Sequence, residues 1–107
     1  MAKGALQPTR HVERLTVELC DALLTPSTVK EMRSLLRDLC TPSELSALAE
    51  RWHVARLLDG TDLSYRDIHD GTGVSTTTIV RVGRFLRREP NQGYRRAIDA
   101  LETPGVG

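Results

Sequence analysis

Aromatic side chains and cysteines are scarce in this sequence of 107 residues. Only 4% of the residues are Phe, Trp or Tyr, and the apolar content comes mainly from Leu, Ala and Val, which pack helices more readily than strands. The two cysteines, Cys20 and Cys40, form no CxxC pattern and have no His at zinc-ligand spacing, so we expect no metal site. Both are expected to be small buried apolar residues rather than a disulfide.

Long apolar runs and enzyme motifs are absent as well. No stretch approaches the roughly eighteen apolar residues of a transmembrane helix, and the polar segment Met1–Arg10 lacks the apolar centre of a signal peptide. We therefore expect a soluble cytoplasmic protein with no membrane partner. There is no Gly-rich phosphate loop, no paired carboxylates on one face and no Cys–His pair, so we expect neither an enzyme nor a cofactor.

Positive charge is concentrated near the carboxyl end, although the formal net charge is only +1. Between residues 81 and 96 the single acid is Glu89. The basic residues of this segment are Arg81, Arg84, Arg87, Arg88, Arg95 and Arg96. A nearly neutral chain with one basic end can present a local positive field to nucleic acid.

Apolar spacing and helix-start signals predict an all-α chain of about six helices. The first carries Val12 to Leu23 on one face, and the second begins at Pro26 with Thr25 as its N-cap. The third begins with the capping box Thr41–Glu44 and runs to about Leu58. We expect residues 9–102 to form a single domain, with disordered ends at 1–8 and 103–107.

The third helix is apolar on two sides. Leu45, Leu48 and Trp52 lie on one stripe, and Val54 and Leu58 lie on another. A helix that is apolar on two sides must be covered on two sides, and a chain of this length has few residues to do so. We therefore expect a second copy of the chain to supply the cover, in a homodimer.

The segment from Ser64 to Arg88 has the layout of a helix-turn-helix. Ser64 caps a short helix, Gly73 allows the positive φ that the turn needs, and Ser75 caps a second helix. Val74 is expected to plug the space between the helices, and Ile79 is expected to face their shared core. The second helix is then free to enter the major groove of double-stranded DNA with its first residues leading.

Several side chains of this segment are candidates for DNA contact. Thr76 and Thr77 suit base edges or phosphates, Arg81 and Arg84 suit guanine edges or the backbone, and the first helix offers its outer side to the flanking phosphates. The full predicted set is Tyr65, Arg66, His69, Ser75, Thr76, Thr77, Thr78, Val80, Arg81, Arg84 and Arg87. The position of His69, four residues before Gly73, is usually small, so His69 is expected to alter how the helices meet.

Three alternatives remain open at this point. The segment could be a plain helical hairpin with solvated arginines, a surface for docking another protein within a transcription complex, or a fragment similar to the promoter-reading helices of a sigma factor. A protein-docking helix needs an apolar stripe, and Val80 is the one apolar residue on this face. The residue pattern therefore favours DNA.

The residues from Asp38 to Arg51, from Val54 to Leu58 and from Gly73 to Arg81 resemble the Trp repressor superfamily, and in particular its YerC/YecD-type branch. The resemblance implies an intertwined homodimer of helical chains with two DNA-reading heads, half-sites about one helical turn apart and a role in transcription regulation.

The resemblance also bears on effector binding. Arg51 and Arg81 match the arginines that flank the indole in the tryptophan-binding member, but Val82 stands where that member has glycine and Phe85 where it has a hydroxyl. These two side chains are expected to fill the space of the ligand and to remove a polar partner for its amino group. We therefore expect no tryptophan binding, and no other effector is predicted.

Overall fold

The computed structural model of the chain describes residues 6, 8 and 10–102. This part of the chain contains six α-helices and no strand, which confirms the predicted all-α class. In chain order they are α1 (Val12–Leu23), α2 (Val29–Leu39), α3 (Pro42–Gly60), α4 (Tyr65–Thr72), α5 (Thr76–Arg87) and α6 (Gly93–Glu102). Most of the predicted disorder at 1–8, and all of that at 103–107, lies outside the described residues.

The described chain divides into two compact units, with the division between Pro42 and Ser43. The first unit contains α1 and α2, and the second contains nearly all of α3 together with α4, α5 and α6. The single domain expected over residues 9–102 stays a prediction. No helix in the described ranges combines the length and the apolar character that crossing a bilayer requires.

Neither α1 nor α2 contains a buried residue. Val12, Leu19 and Val29, which lie on the apolar faces of these helices, are 59%, 42% and 77% exposed. Cys20 is also exposed and Cys40 is half-buried, so the expectation of two buried cysteines was wrong. The apolar faces of α1 and α2 are therefore only partly covered.

The start of α2 differs from the prediction. Its N-cap is Thr28, whose Oγ1 accepts a hydrogen bond from the Glu31 backbone N–H at 3.1 Å. The Glu31 carboxylate accepts in turn from the backbone N–H of Ser27 at 2.9 Å, and this bond holds the pKa of Glu31 below its usual range. Thr25 instead donates its hydroxyl to the Ala22 carbonyl at the end of α1, at 2.8 Å. The helix starts three residues later because Thr28 has the better-placed acid.

The core lies in the second unit and joins α3, α4, α5 and α6. Its fully buried members include Val54 on α3, Ile68 on α4, Ile79 on α5 and Ile98 on α6. Trp52 packs against this cluster and stacks on Tyr94, with ring centroids 6.4 Å apart. Trp52, on one apolar stripe of α3, therefore lies beside the core.

Two arginines hold the carboxyl end of α3 against α5 and α6. Arg87 on α5 donates to the Leu58 carbonyl at 3.1 Å, and Arg95 on α6 forms an ion pair of 2.6 Å with Asp59. Carbonyls in the last turn of a helix lack intrahelical donors, so cations placed there satisfy them and complement the helix dipole. Hydrogen bonds from Arg95 also hold the pKa of Asp59 below its usual range. These contacts fix the carboxyl end of α3 relative to α5 and α6.

Candidate nucleic-acid interface

Local hydrogen bonds determine where α4 and α5 begin and end. The Ser64 hydroxyl accepts from the Asp67 backbone N–H at 3.0 Å, and the Asp67 carboxylate accepts from the Ser64 N–H at 3.1 Å. The latter bond holds the pKa of Asp67 below its usual range. Gly73 ends α4 with a φ of 79°, and the Ser75 hydroxyl caps α5 through the Thr78 N–H at 3.2 Å. All three predicted signals are confirmed.

The two helices share the small core that the sequence predicts. Val74 in the turn is 5% exposed, and Ile68 of α4 is 1% exposed. On α5 the inward face consists of Ile79, Val82 and Leu86, none of which is more than 5% exposed. The opposite face of α5 is therefore directed away from the core.

His69 closes the turn between the helices. Its Nδ1 lies 2.8 Å from the Val74 carbonyl oxygen, a contact in which the ring nitrogen donates. The ring itself remains exposed at the surface. The larger side chain at this position thus supplies a hydrogen bond across the turn, which a small residue would not do.

The predicted DNA-contact residues all lie in the second unit, and most are exposed on α4, the turn or the outer face of α5. Thr76, Thr77 and Arg81 are exposed at and beyond the start of α5, and Val80 is 51% exposed beside them. Arg66 projects from α4 with a side chain that is 89% exposed and a loose contact of 4.0 Å to Asp70. One continuous face therefore presents threonine hydroxyls first and guanidinium groups after them.

Ser75, Thr78 and Arg87 use part of their hydrogen-bonding capacity within the fold, as His69 does. The hydroxyls of Ser75 and Thr78 lie 3.0 Å apart within the cap of α5, and Thr78 is half-buried. Arg87 uses one of its donors on the Leu58 carbonyl. These hydrogen bonds hold α5 in place, and Arg87 lies on its exposed side.

A groove of about 250 Å³ lies between α4 and α5 on this basic face. It is lined by Tyr65, Val80, Gly83, Arg84, Arg87 and Arg88. Tyr65 reaches across α5 at Gly83, where an added Cβ would overlap with the Tyr65 hydroxyl and lie 3.1 Å from its Cζ. The missing side chain at Gly83 is therefore what lets Tyr65 pack over α5. A phenol and three guanidinium groups around one groove suit a phosphate group.

A second cleft, of about 460 Å³, lies on the other side of α5. Its lining includes Arg51, Trp52, Arg81, Val82, Phe85 and Tyr94. Val82 and Phe85 form part of its wall, and the expectation that they take up the space of an indole ligand stays a prediction. Phe85 is half-buried, and the Cζ atom of Arg81 lies 4.4 Å from its ring centroid.

Gly83, Phe85 and Arg88 were not predicted as site residues. A glycine in the middle of an amphipathic helix lowers helix stability, and this is the signal that marks a close approach of another group. Nothing in the sequence marks the contacts of Phe85, because they depend on the rotamers of Phe85 and its neighbours. Arg88 follows α5 directly, and its proximity to Tyr65 depends on how α4 packs on α5.

Comparison with known proteins gives a consistent result. The family model described as Trp repressor protein matches residues 15–102. The chain is 36% identical over 85 residues to the uncharacterized Bacillus subtilis protein YerC. The aligned region covers 79% of this chain and 80% of YerC. A solved structure of a TrpR-like protein from Eubacterium eligens superimposes with a TM-score of 0.76 at 34% identity, covering 84% of this chain and 91% of that one. The crystal structure of a Staphylococcus aureus protein superimposes with a TM-score of 0.74 at 32% identity, and the superposition covers 94% of each chain.

Proposed function

Since this chain belongs to the Trp repressor family, we propose that it is a homodimeric, sequence-specific regulator of transcription that binds double-stranded DNA through α4 and α5. The observation that carries the proposal is the division of α5 into two faces. Ile79, Val82 and Leu86 are buried, whereas Thr77, Arg81 and Arg84 face away from the core. An exposed helix face of threonine and arginine fits the polar edges of the major groove.

The first turn of α5 and the groove between α4 and α5 have different roles in DNA binding. Thr76 and Thr77, in the first turn of α5, read base edges, where their methyl groups can meet thymine methyls. Arg66 on α4 and the groove beside Tyr65 hold backbone phosphates and fix the register of the protein on the duplex. Arg81 and Arg84, farther along α5, contact either guanine edges or the backbone.

The proposed homodimer is supported by the uncovered apolar residues of the first unit and of α3. Val12, Val29 and Leu39 are at least half exposed, and Leu48 on α3 is 44% exposed. Burial of such side chains stabilises an assembly by about 25 cal/mol per Å² of apolar area. A second copy presents the same faces, so a two-fold arrangement covers both sets at once. Two reading heads would then reach half-sites about one helical turn apart.

We also propose that tryptophan does not control this protein. Val82 places a side chain on the wall of the cleft beside α5, and Phe85 brings a ring rather than a hydroxyl. The guanidinium of Arg81 is engaged on that ring at 4.4 Å. Addition of L-tryptophan should therefore leave the affinity for DNA unchanged, and a tryptophan-dependent gain in affinity would contradict this part of the proposal.

The proposal is tested by titrating a labelled duplex at several salt concentrations. Phosphate contacts release counterions, so the logarithm of the association constant should fall steeply and linearly with the logarithm of the salt concentration. Absence of binding at low salt would refute the proposal. A flat salt response would instead favour the docking of another protein.

Two arginine variants refine the test. Arg84→Ala should weaken binding by about 1–3 kcal/mol on a preferred site if Arg84 reads a base, and the loss on random duplex should be smaller. Arg96→Ala removes one positive charge from an exposed position on α6, outside the α5 face, and is the matched control. Equal losses for both variants would indicate a general charge effect rather than a contact of α5.

A further inference from the structure

Phe85 lies at the boundary between the buried and the exposed faces of α5 and contacts two guanidinium groups. The Cζ atom of Arg81, one helical turn earlier, lies 4.4 Å from the ring centroid, and that of Arg84 lies 5.0 Å from it. Both distances are within the range of cation–π contact. The half-buried ring is thus held by the helix while it supports two exposed arginines.

Stacking leaves the polar capacity of an arginine intact. The guanidinium group is planar, and its five N–H donors point outward in that plane. A contact through the flat face orders the side chain and keeps the donors available at the edge. An arginine without such support loses more rotamer freedom when it binds, and this loss opposes association.

Arg84 has a second contact of a different kind. Its Nε lies 3.2 Å from a carboxylate oxygen of Glu89. A carboxylate occupies the same donors that a phosphate or a guanine edge would take, so this ion pair competes with DNA. The ring of Phe85 carries no charge and no oxygen acceptor, so it does not compete with DNA for the N–H donors in this way.

We propose that Phe85 is a positioning residue, which orders the Arg81 and Arg84 side chains for DNA before DNA is bound. The inference rests on the proposed function and adds the residue that sets the conformation of its arginines. Phe85 itself makes no contact with DNA in this account.

The test compares Phe85→Leu, which keeps apolar volume without a π face, with Phe85→Tyr, which keeps the ring. Phe85→Leu should weaken binding to a preferred duplex by about 5- to 100-fold, the range for two arginines that must be ordered on binding. The salt slope should not change, because the arginines still reach their contacts in the complex. Phe85→Tyr should bind like the original protein.

A double-mutant cycle separates positioning from a purely structural role. In the Arg81→Ala, Arg84→Ala background, Phe85→Leu should change affinity by less than roughly 2-fold, because the groups it orders are gone. A loss as large as in the original background would overturn the inference, and so would unchanged affinity of Phe85→Leu alone. Tyr94→Leu is the matched control, since Tyr94 lines the same cleft and stacks on Trp52.

Circular dichroism establishes that each compared variant is folded. If Phe85→Leu fails to fold, Phe85→Met takes its place in the same cycle, because Met fills irregular apolar space. Failure of the original protein to bind any duplex refutes the proposed function. Binding by the original protein that Phe85→Leu and Phe85→Met retain in full refutes only the positioning role.

Discussion

The close approach of Tyr65 to α5 at Gly83 leads to a prediction with a defined sign. Gly83→Ala should destabilise the protein, although the same change in an open helix position would stabilise it. A Cβ at this position would overlap with the Tyr65 hydroxyl, lie 3.1 Å from its Cζ and lie 3.7 Å from Cδ1 of Leu58. The contact with Leu58 is of ordinary length, so Tyr65 is the group that must move.

Two opposing contributions set the magnitude. Replacement of glycine by alanine within a helix gains about 1 kcal/mol of helix stability, and an extra methyl group in a packed site costs about 1–3 kcal/mol. The net effect of Gly83→Ala should be a loss of up to about 2 kcal/mol. In a Tyr65→Ala background the overlap is gone, and the same substitution should stabilise the protein by up to about 1 kcal/mol.

Urea denaturation of the four proteins of this cycle, at one fixed protein concentration, measures both values. A fixed concentration is required because assembly of copies makes the apparent stability depend on it. Gly71→Ala is the control, since a Cβ at Gly71 meets nothing within 4 Å, and it should stabilise the protein. Equal effects of Gly83→Ala in the two backgrounds, or stabilisation by Gly83→Ala in the original protein, would contradict the overlap with Tyr65.

Three further changes have expected outcomes. Ser64→Ala should lower the free energy of unfolding by about 1 kcal/mol in urea denaturation, because α4 loses its cap; no loss would show that the cap is dispensable. His69→Ala should cost a similar amount, since the hydrogen bond to the Val74 carbonyl is lost, and a stabilised variant would contradict the role of His69 in the turn. Hydrogen bonds from Arg95 lower the pKa of Asp59 in the folded state, so its contribution to stability is present above about pH 4 and is lost as the pH falls. Asp59→Asn should therefore flatten the acid side of the stability profile, and an unchanged profile would contradict this assignment.

The features of α4 and α5 that were predictable are those encoded within a few residues. A serine before an apolar run, an acid three residues later and a glycine at the turn form hydrogen bonds or dihedrals that hardly depend on the rest of the chain. Ser64, Gly73 and Ser75 therefore lie where the sequence indicates. The buried face of α5 follows from helical spacing in the same way.

The remaining features depend on competition or on tertiary packing. Thr25 and Thr28 are both reasonable N-caps, and the outcome was decided by Glu31, whose carboxylate accepts from Ser27 and whose backbone donates to Thr28. The groove beside Tyr65 exists because α4 crosses α5 at Gly83, a contact between distant parts of the sequence. The Phe85 ring lines a cleft and lies 4.4 Å from the Cζ atom of Arg81. Side-chain rotamers of this kind cannot be read from residue spacing.

Selection of bound sequences from a pool of random duplexes tests sequence-specific binding and two-fold symmetry together. We expect enrichment of one palindromic sequence, whose half-sites lie about one helical turn apart because two copies of α5 enter successive major grooves. Arg84→Ala and Phe85→Leu should each give weaker enrichment of the same palindrome. A pool without enrichment after selection at low salt would contradict sequence-specific binding, and an enriched site without two-fold symmetry would contradict the homodimer.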